Sequence, residues 1–216
     1  MEDFKEYINQ LRYDFTLETL DEKDTDTSPF KQFEKWFKQA VDSKILDANA
    51  MTISTCVDNK PSARIVLLRG FNENGLVFYT NYNSKKSKDL MANPHICISF
   101  FWAELQRQIR IEGVCKKQEP AESDRYFDAR PRKSRLGAWA SPQSDEVENR
   151  ASLEEKLAFY EEKFKDQEVP RPDFWGGFVV EPTYFEFWQG REGRLHDRIF
   201  YQKNNENSWK RGRLAP

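Results

Sequence analysis

Apolar residues are distributed along this chain in two textures. Between Pro29 and Lys44 they fall at Phe30, Phe33, Phe37, Ala40 and Val41, the three-and-four spacing of one helix face. Ser28 and Pro29 stand just before them as a capping residue and a first-turn proline, so the pattern predicts a helix from Pro29 to about Lys44. From Met51 to about Lys117 the texture changes to short runs of Ile, Val, Thr, Phe and Tyr, broken at Asp58 to Pro61, Asn72 to Gly75 and Asn93-Pro94. These runs predict successive antiparallel strands over Met51–Val57, Ala63–Phe71, Leu76–Thr80, His95–Phe101 and Gln108–Lys117, with a short helix over Lys85–Ala92.

The middle third reads as helical. Ala121–Ala129 is one helix, and Ser152–Phe164 another, in which Ser152 and Glu155 match a capping box while Leu153, Leu157, Tyr160 and Phe164 share a face. The segment VPRPDFWGG interrupts the pattern, and Phe178–Trp188, Arg198–Gln202 and Trp209–Leu214 return to strand texture. Strands on both sides of a helical insert predict an α+β, barrel-like domain over residues 29–216, preceded by a segment 1–28 read as mobile.

Composition narrows the function classes. A chain of 216 residues with 17 Phe, 8 Tyr and 6 Trp buries roughly 70% of its unfolded surface, so disorder is excluded as its main state and no disulfide or metal staple is needed. Lys and Arg number 34 against 36 Asp and Glu, which argues against general nucleic-acid binding. No apolar run approaches the roughly 20 residues of a membrane span, and the acidic start MEDFKEYINQLRYDF does not read as a signal peptide, so no membrane association is expected and the cytoplasm is the expected location. Cys56, Cys97 and Cys115 are widely separated and there are only two histidines, His95 and His196, so no metal site is expected.

Four stretches carry candidate chemistry. In RIVLLRG, Arg64 and Arg69 bracket an apolar strand; five residues apart they point to opposite faces unless the strand is bulged, and from the spacing alone two solvated strand ends, which are common, are the favoured reading over a shared site. In FYTNYNSKKSKDL, the hydroxyls of Tyr79, Thr80 and Ser84 precede Lys85 and Lys86 at a helix start, an arrangement suited either to an anion or to a solvated charged turn. Between Asp124 and Arg135 five cations (Arg125, Arg130, Arg132, Lys133, Arg135) face two acids (Asp124, Asp128), with Tyr126 and Ser134 interleaved. A phosphate monoester would receive several charge-assisted bonds there; nucleic acid is the competing ligand for the same patch. In FWQGREGRLHDRIFY, an extended backbone would project Arg194, His196 and Arg198 to one side, beside Trp188.

Taken in this order, the segments RIVLL, VFYTN, RQIRIEG, YFDARPRKSRLGAWAS, DFWGGF, FEFWQG and RLHDR resemble the pyridoxine (pyridoxamine) 5'-phosphate oxidase family from about Pro29 to the terminal RLAP. The resemblance implies an antiparallel split β-barrel working as a homodimer with FMN at the subunit interface. It implies oxidation of pyridoxine 5'-phosphate or pyridoxamine 5'-phosphate by O2 to pyridoxal 5'-phosphate, with hydrogen peroxide as co-product. By the same resemblance Arg64, Lys86 and Ser144 surround the FMN phosphate and ribityl chain. Ile65, Val66, Leu67, Leu68, Arg69, Tyr79, Thr80 and Lys85 are further cofactor contacts, as are Gln108, Gln143, Trp188 and Arg198. Tyr126, Arg130 and Ser134, with Arg69, cradle the substrate phosphate, while Arg194 and His196 hold the substrate ring and act at the reacting carbon. Arg12 matches an arginine that closes over the substrate. Two departures stand out: Arg69 replaces a usual lysine, and near the amino terminus Phe15 replaces a tyrosine and is followed by LETLDEKDT instead of a basic stretch. The rival readings are a related split-barrel flavin oxidoreductase with another substrate, such as one of phenazine synthesis, and a non-enzymatic binder of FMN or pyridoxal phosphate.

Overall fold

The computed structural model describes residues 2–11 and 14–216. Arg12 lies outside the described residues. In chain order the elements are α1 (Glu2–Gln10), α2 (Pro29–Asp42), β1 (Ala50–Val57), β2 (Lys60–Leu67), β3 (Gly70–Asn72), β4 (Gly75–Asn81), α3 (Lys85–Ala92), β5 (His95–Trp102) and β6 (Arg107–Lys117). There follow α4 (Pro120–Asp128), α5 (Arg132–Ala140), α6 (Arg150–Lys163), β7 (Trp175–Gln189), β8 (Asp197–Lys203) and β9 (Trp209–Arg213). Among the described residues the strands form one sheet ordered β2-β1-β5-β6-β7-β4-β3, with β8 paired to β7 and β9 to β8.

The chain divides into two compact units. The first comprises residues 1–48, 99–111 and 184–216. Here α2 buries Phe33, Trp36 and Ala40, and Phe33 and Trp36 meet Phe100 and Phe187 at ring separations of 5.4 and 5.3 Å. The buried face is thus turned from the expected one: Trp36 lies inside and Val41 outside, because the aromatic residues of β5 and β7 set which side of the helix finds a partner. Arg107, 7% exposed, lies over the Trp36 ring at 4.4 Å and donates to Gln189 Oε1 at 2.8 Å. Segment 1–28 carries α1, which the sequence pattern did not predict, and is bonded through Leu20 N–H to the Asp197 carboxylate at 3.1 Å.

The second unit comprises residues 49–98 and 112–183. Its core is built on Met51, Ile53, Leu76, Phe78, Ile96, Ile98, Phe178 and Val180, with a second cluster of Phe127, Leu136, Phe164, Val169 and Trp175 beneath the helices. The predicted strand Ala63–Phe71 is broken at Leu68-Arg69. There the chain changes partner: Leu68 N–H donates to Asn49 O and Arg69 N–H to Val77 O, both at 2.8 Å. The two end strands of the sheet path, β2 and β3, are joined by this corner and β2 also approaches β4, so the path curls back on itself as a barrel does.

Two helical boundaries differ from expectation. α6 begins two residues early, because Asn149 is the N-cap: its side chain accepts from Ser152 N–H at 3.0 Å while Ser152 Oγ accepts from Asn149 N–H at 3.4 Å. Ser152 is therefore the third helical residue and not the cap. α5 was hidden in the basic stretch, since only Leu136 and Ala140 of its residues are buried and an apolar stripe is lacking.

Candidate active site

In the second unit β4 runs into α3 through a turn closed by Ser84 Oγ and Ser87 Oγ, which donate to Asn81 O at 2.7 and 2.8 Å. This turn swings Lys86 inward. Its ammonium donates to Thr80 Oγ1 at 3.0 Å, Ser84 Oγ at 3.1 Å and Gln143 Oε1 at 2.9 Å, all neutral oxygens. Burial, with the like charge of Arg64, pushes the Lys86 pKa down to about 8. A buried ammonium without a carboxylate is poised for an added anion.

Arg64 on β2 is held by Thr55 Oγ1 at 2.9 Å, Ser62 Oγ at 2.6 Å and the Asp89 carboxylate at 3.6 Å. Lys85, by contrast, is exposed and donates to both oxygens of Asp89 at 3.1 and 3.0 Å. Burial pushes the Asp89 carboxyl up, but the bonds from Thr55 and Lys85 and the charges of Lys85 and Arg64 outweigh it and hold it below the usual range. Gln143 and Ser144 follow α5, and Ser144 takes the left-handed region at φ 76°. Next to Arg64, Ile65 is 70% exposed on the edge strand, Val66 and Leu67 are half-buried and Leu68 is buried.

A second group forms in the same unit. Tyr79 and Tyr126 stack with ring centroids 3.8 Å apart and planes 5° from parallel, and Trp175 continues the stack 5.6 Å from Tyr79. Burial raises the Tyr79 hydroxyl pKa, which keeps the phenol protonated. Arg130 lies over the Trp175 ring at 4.5 Å. Its Nη1 is buried without a hydrogen-bond partner among the described residues. Burial pulls this guanidinium pKa down; the charge of Arg69 acts in the same sense and Tyr126 opposes both. Ser134, near the start of α5, is exposed. Tyr126 and Arg69 are thus both close enough to Arg130 for their charges to act on it. Trp175, the platform beneath them, escaped sequence reasoning; its signal was the Trp before the paired Gly176-Gly177, where a Cβ on Gly177 would stand 2.8 Å from the Tyr79 ring.

In the first unit a cavity of about 640 Å³ is lined by Leu11, Asp14, Phe15, Arg191, Gly193, Arg194 and His196. That volume suits a small organic molecule. The His196 ring lies 4.6 Å from Trp188 and 5.5 Å, edge-on, from Phe15. His196 Nδ1 accepts from Arg191 N–H at 3.1 Å, which leaves the ring proton on Nε2. Burial and then the charge of Arg194 lower the His196 pKa, so the neutral ring is favoured. The expected extended run from Arg194 to Arg198 is not formed. Arg194 ends a single helical turn at φ 61°, His196 follows in a loop, and only Arg198 lies in β8, opposite Trp188. Arg198 donates to buried Glu186 at 2.8 Å and to Ala215 O at 2.8 Å, while Gln108 lies half-buried on β6. Arg191 and Asp197 were missed in the sequence, where only their neighbours drew notice.

Residues 37–162 match the family described as pyridoxamine 5'-phosphate oxidase, and residues 175–216 match the pyridoxine 5'-phosphate oxidase C-terminal dimerisation region. The chain is 50% identical over 210 residues to the pyridoxine/pyridoxamine 5'-phosphate oxidase of Trichormus variabilis, covering 97% of this chain and 98% of that protein. It is 49% identical over 207 residues to the protein of the same name from Rubrobacter xylanophilus, covering 95% of each. Among solved structures, PhzG from Burkholderia lata 383 in complex with tetrahydrophenazine-1-carboxylic acid superposes with a TM-score of 0.86 at 27% identity, over 93% of this chain and 99% of that one. A pyridoxamine 5'-phosphate oxidase-related, FMN binding protein from Nostoc punctiforme shares the fold, with a TM-score of 0.69 at 17% identity over 88% and 98% of the two chains.

Proposed function

Because the chain belongs to the pyridoxamine 5'-phosphate oxidase family, we propose that it oxidises pyridoxine 5'-phosphate or pyridoxamine 5'-phosphate to pyridoxal 5'-phosphate, with FMN as cofactor and O2 as final acceptor. One observation carries this reading: among the described residues two separate cations of the second unit have no carboxylate bonded to them, the buried Lys86 and the half-buried Arg130, whose Nη1 is itself buried without a partner. A reaction between a phosphorylated cofactor and a phosphorylated substrate calls for two such places.

FMN fits the Lys86 group, whose donor set of Lys86, Thr80, Ser84 and nearby Arg64 suits a phosphate dianion. When bound, FMN supplies the two-electron acceptor that no side chain provides. Tyr79, Lys85, Gln143, Ser144 and the strand Ile65 to Leu68 are its further contacts, as are Gln108, Trp188 and Arg198. Tyr126, Arg130, Ser134 and Arg69 bind the substrate phosphate, and Arg130 Nη1 gains the acceptor it lacks. Arg194 and His196 hold the substrate ring: a guanidinium and a neutral imidazole with its proton on Nε2 both present donors, so they orient the substrate's polar groups at the reacting carbon. The matched dimerisation region supports a homodimer, with the cofactor at its interface. No described helix is long and apolar enough to cross a membrane.

The test is to mix FMN-loaded protein anaerobically with pyridoxine 5'-phosphate while following the visible flavin absorbance, and then to admit air. Bleaching, recovery and one pyridoxal 5'-phosphate per cycle are expected. Bound flavin that stays oxidised with both phosphorylated substrates would overturn the substrate assignment; turnover of a tetrahydrophenazine carboxylic acid instead would select the rival that the PhzG likeness raises.

A further inference from the structure

The loop carrying Arg194 and His196 leaves β7 at Gln189 and rejoins the sheet at Asp197, and these two residues are register partners. The Asp197 side chain is only 17% exposed and collects three donors from three separate segments. Oδ2 accepts from Leu20 N–H at 3.1 Å and from Arg191 Nη1 at 3.2 Å, and Oδ1 accepts from Arg213 Nη1 at 2.7 Å. Arg191 is the residue whose backbone N–H meets His196 Nδ1 at 3.1 Å. The guanidinium and the amide of one residue are thereby tied to consecutive positions, Asp197 and His196.

From this geometry we infer that Asp197 is a positioning residue: by clamping Arg191 it keeps that residue's amide on His196 Nδ1, and so presents His196 to the cavity with its proton on Nε2. An imidazole free to exchange tautomers would offer the cavity an acceptor part of the time, losing the donor that the proposed substrate orientation uses. The same carboxylate, through Leu20 N–H, anchors the segment that brings Phe15 against His196. This inference rests on the proposed function for its kinetic consequence, but the tautomer is observable without turnover.

The sequence holds two histidines, so His95→Gln leaves a single imidazole to observe by long-range proton–nitrogen correlation in protein labelled with nitrogen-15 histidine. We expect one Nε2–H tautomer in that background. In Asp197→Asn we expect a mixture of tautomers together with a roughly tenfold fall in turnover of the FMN-loaded protein. Arg191→Gln, which keeps the amide and removes the clamp, is expected to shift the tautomer in the same direction, and it carries the test if Asp197→Asn does not fold. A single, unchanged Nε2–H tautomer in the folded variant overturns the inference. A tautomer that shifts while neither protein turns over either phosphorylated substrate upholds the positioning role and defeats the proposed function instead.

Discussion

Lys86 shows what burial without a counter-ion means for a single residue. Three neutral oxygens satisfy its three donor directions but leave its charge unneutralised. With the pKa of the free protein's ammonium held down at about 8, raising the pH through that value discharges it. A bound phosphate stabilises the charged form, so binding takes up a proton above about pH 8 and affinity falls as pH rises, by up to about tenfold per unit. Titrating the apoprotein with FMN by flavin fluorescence from pH 7 to 9.5 measures this. Lys86→Met is expected to weaken FMN binding about 10- to 100-fold at pH 7 and to flatten the decline; binding by that variant equal to the parent's would remove Lys86 from the cofactor site. The sequence showed the lysine at a helix start, where solvation and anion binding were equally good readings. Only the inward turn of Ser84 to Ser87 separates them, because exposed Lys85 next to it has a carboxylate of its own in Asp89.

At the scale of elements, the join between β7 and β8 and the irregular segment before α2 shape the first unit's cavity together. Gly190 closes β7, and a Cβ there would stand 2.5 Å from the Phe15 ring. Phe15 also meets Trp188 edge-on at 5.6 Å. Gly190→Ala is therefore expected to displace Phe15, costing about 1–3 kcal/mol in urea denaturation. The variant should also raise KM for the phosphorylated substrate more than it weakens FMN binding. Unchanged stability and KM would show that Phe15 has no fixed seat. The helices and strands themselves were mostly legible, since period and turn residues are local signals. The break between β2 and β3 was not, because both halves have strand composition and what divides them is a change of hydrogen-bond partner from Asn49 to Val77.

For the whole molecule, the acidic stretch after Phe15 has a structural role. Glu22 pairs with Arg213 of β9 at 2.7 Å, and Arg213 reaches Asp197 as well. The hydrogen bond from Arg213 is the chief reason that the Glu22 carboxyl pKa is held at about 2. A depressed carboxyl contributes stability above its unfolded value, near 4.5, and loses it as pH falls through about 2. Both side chains are more than a third exposed, so solvent screening keeps the contribution near or below about 1 kcal/mol. The stability gap between parent and Glu22→Gln in urea should therefore narrow as pH falls from 4.5 towards 2. A gap that stayed constant over that range would show that the pair is not what the carboxylate contributes.

The chain order of most helices and strands, the phosphate-seeking composition of Tyr126 to Ser134 and the family resemblance were determined by the sequence alone, because each depends on residues close together in the chain or on their order. Which cations lack a carboxylate, that Trp175 underlies Tyr79 and Arg130, and that Asp197 gathers Leu20, Arg191 and Arg213 were decided by tertiary structure. The physical reason is that charge compensation depends on distance in space. Arg198 and Arg130 read alike in the chain, yet one meets buried Glu186 at 2.8 Å while the other keeps a buried nitrogen with no partner among the described residues, and no spacing of residues along the chain distinguishes them.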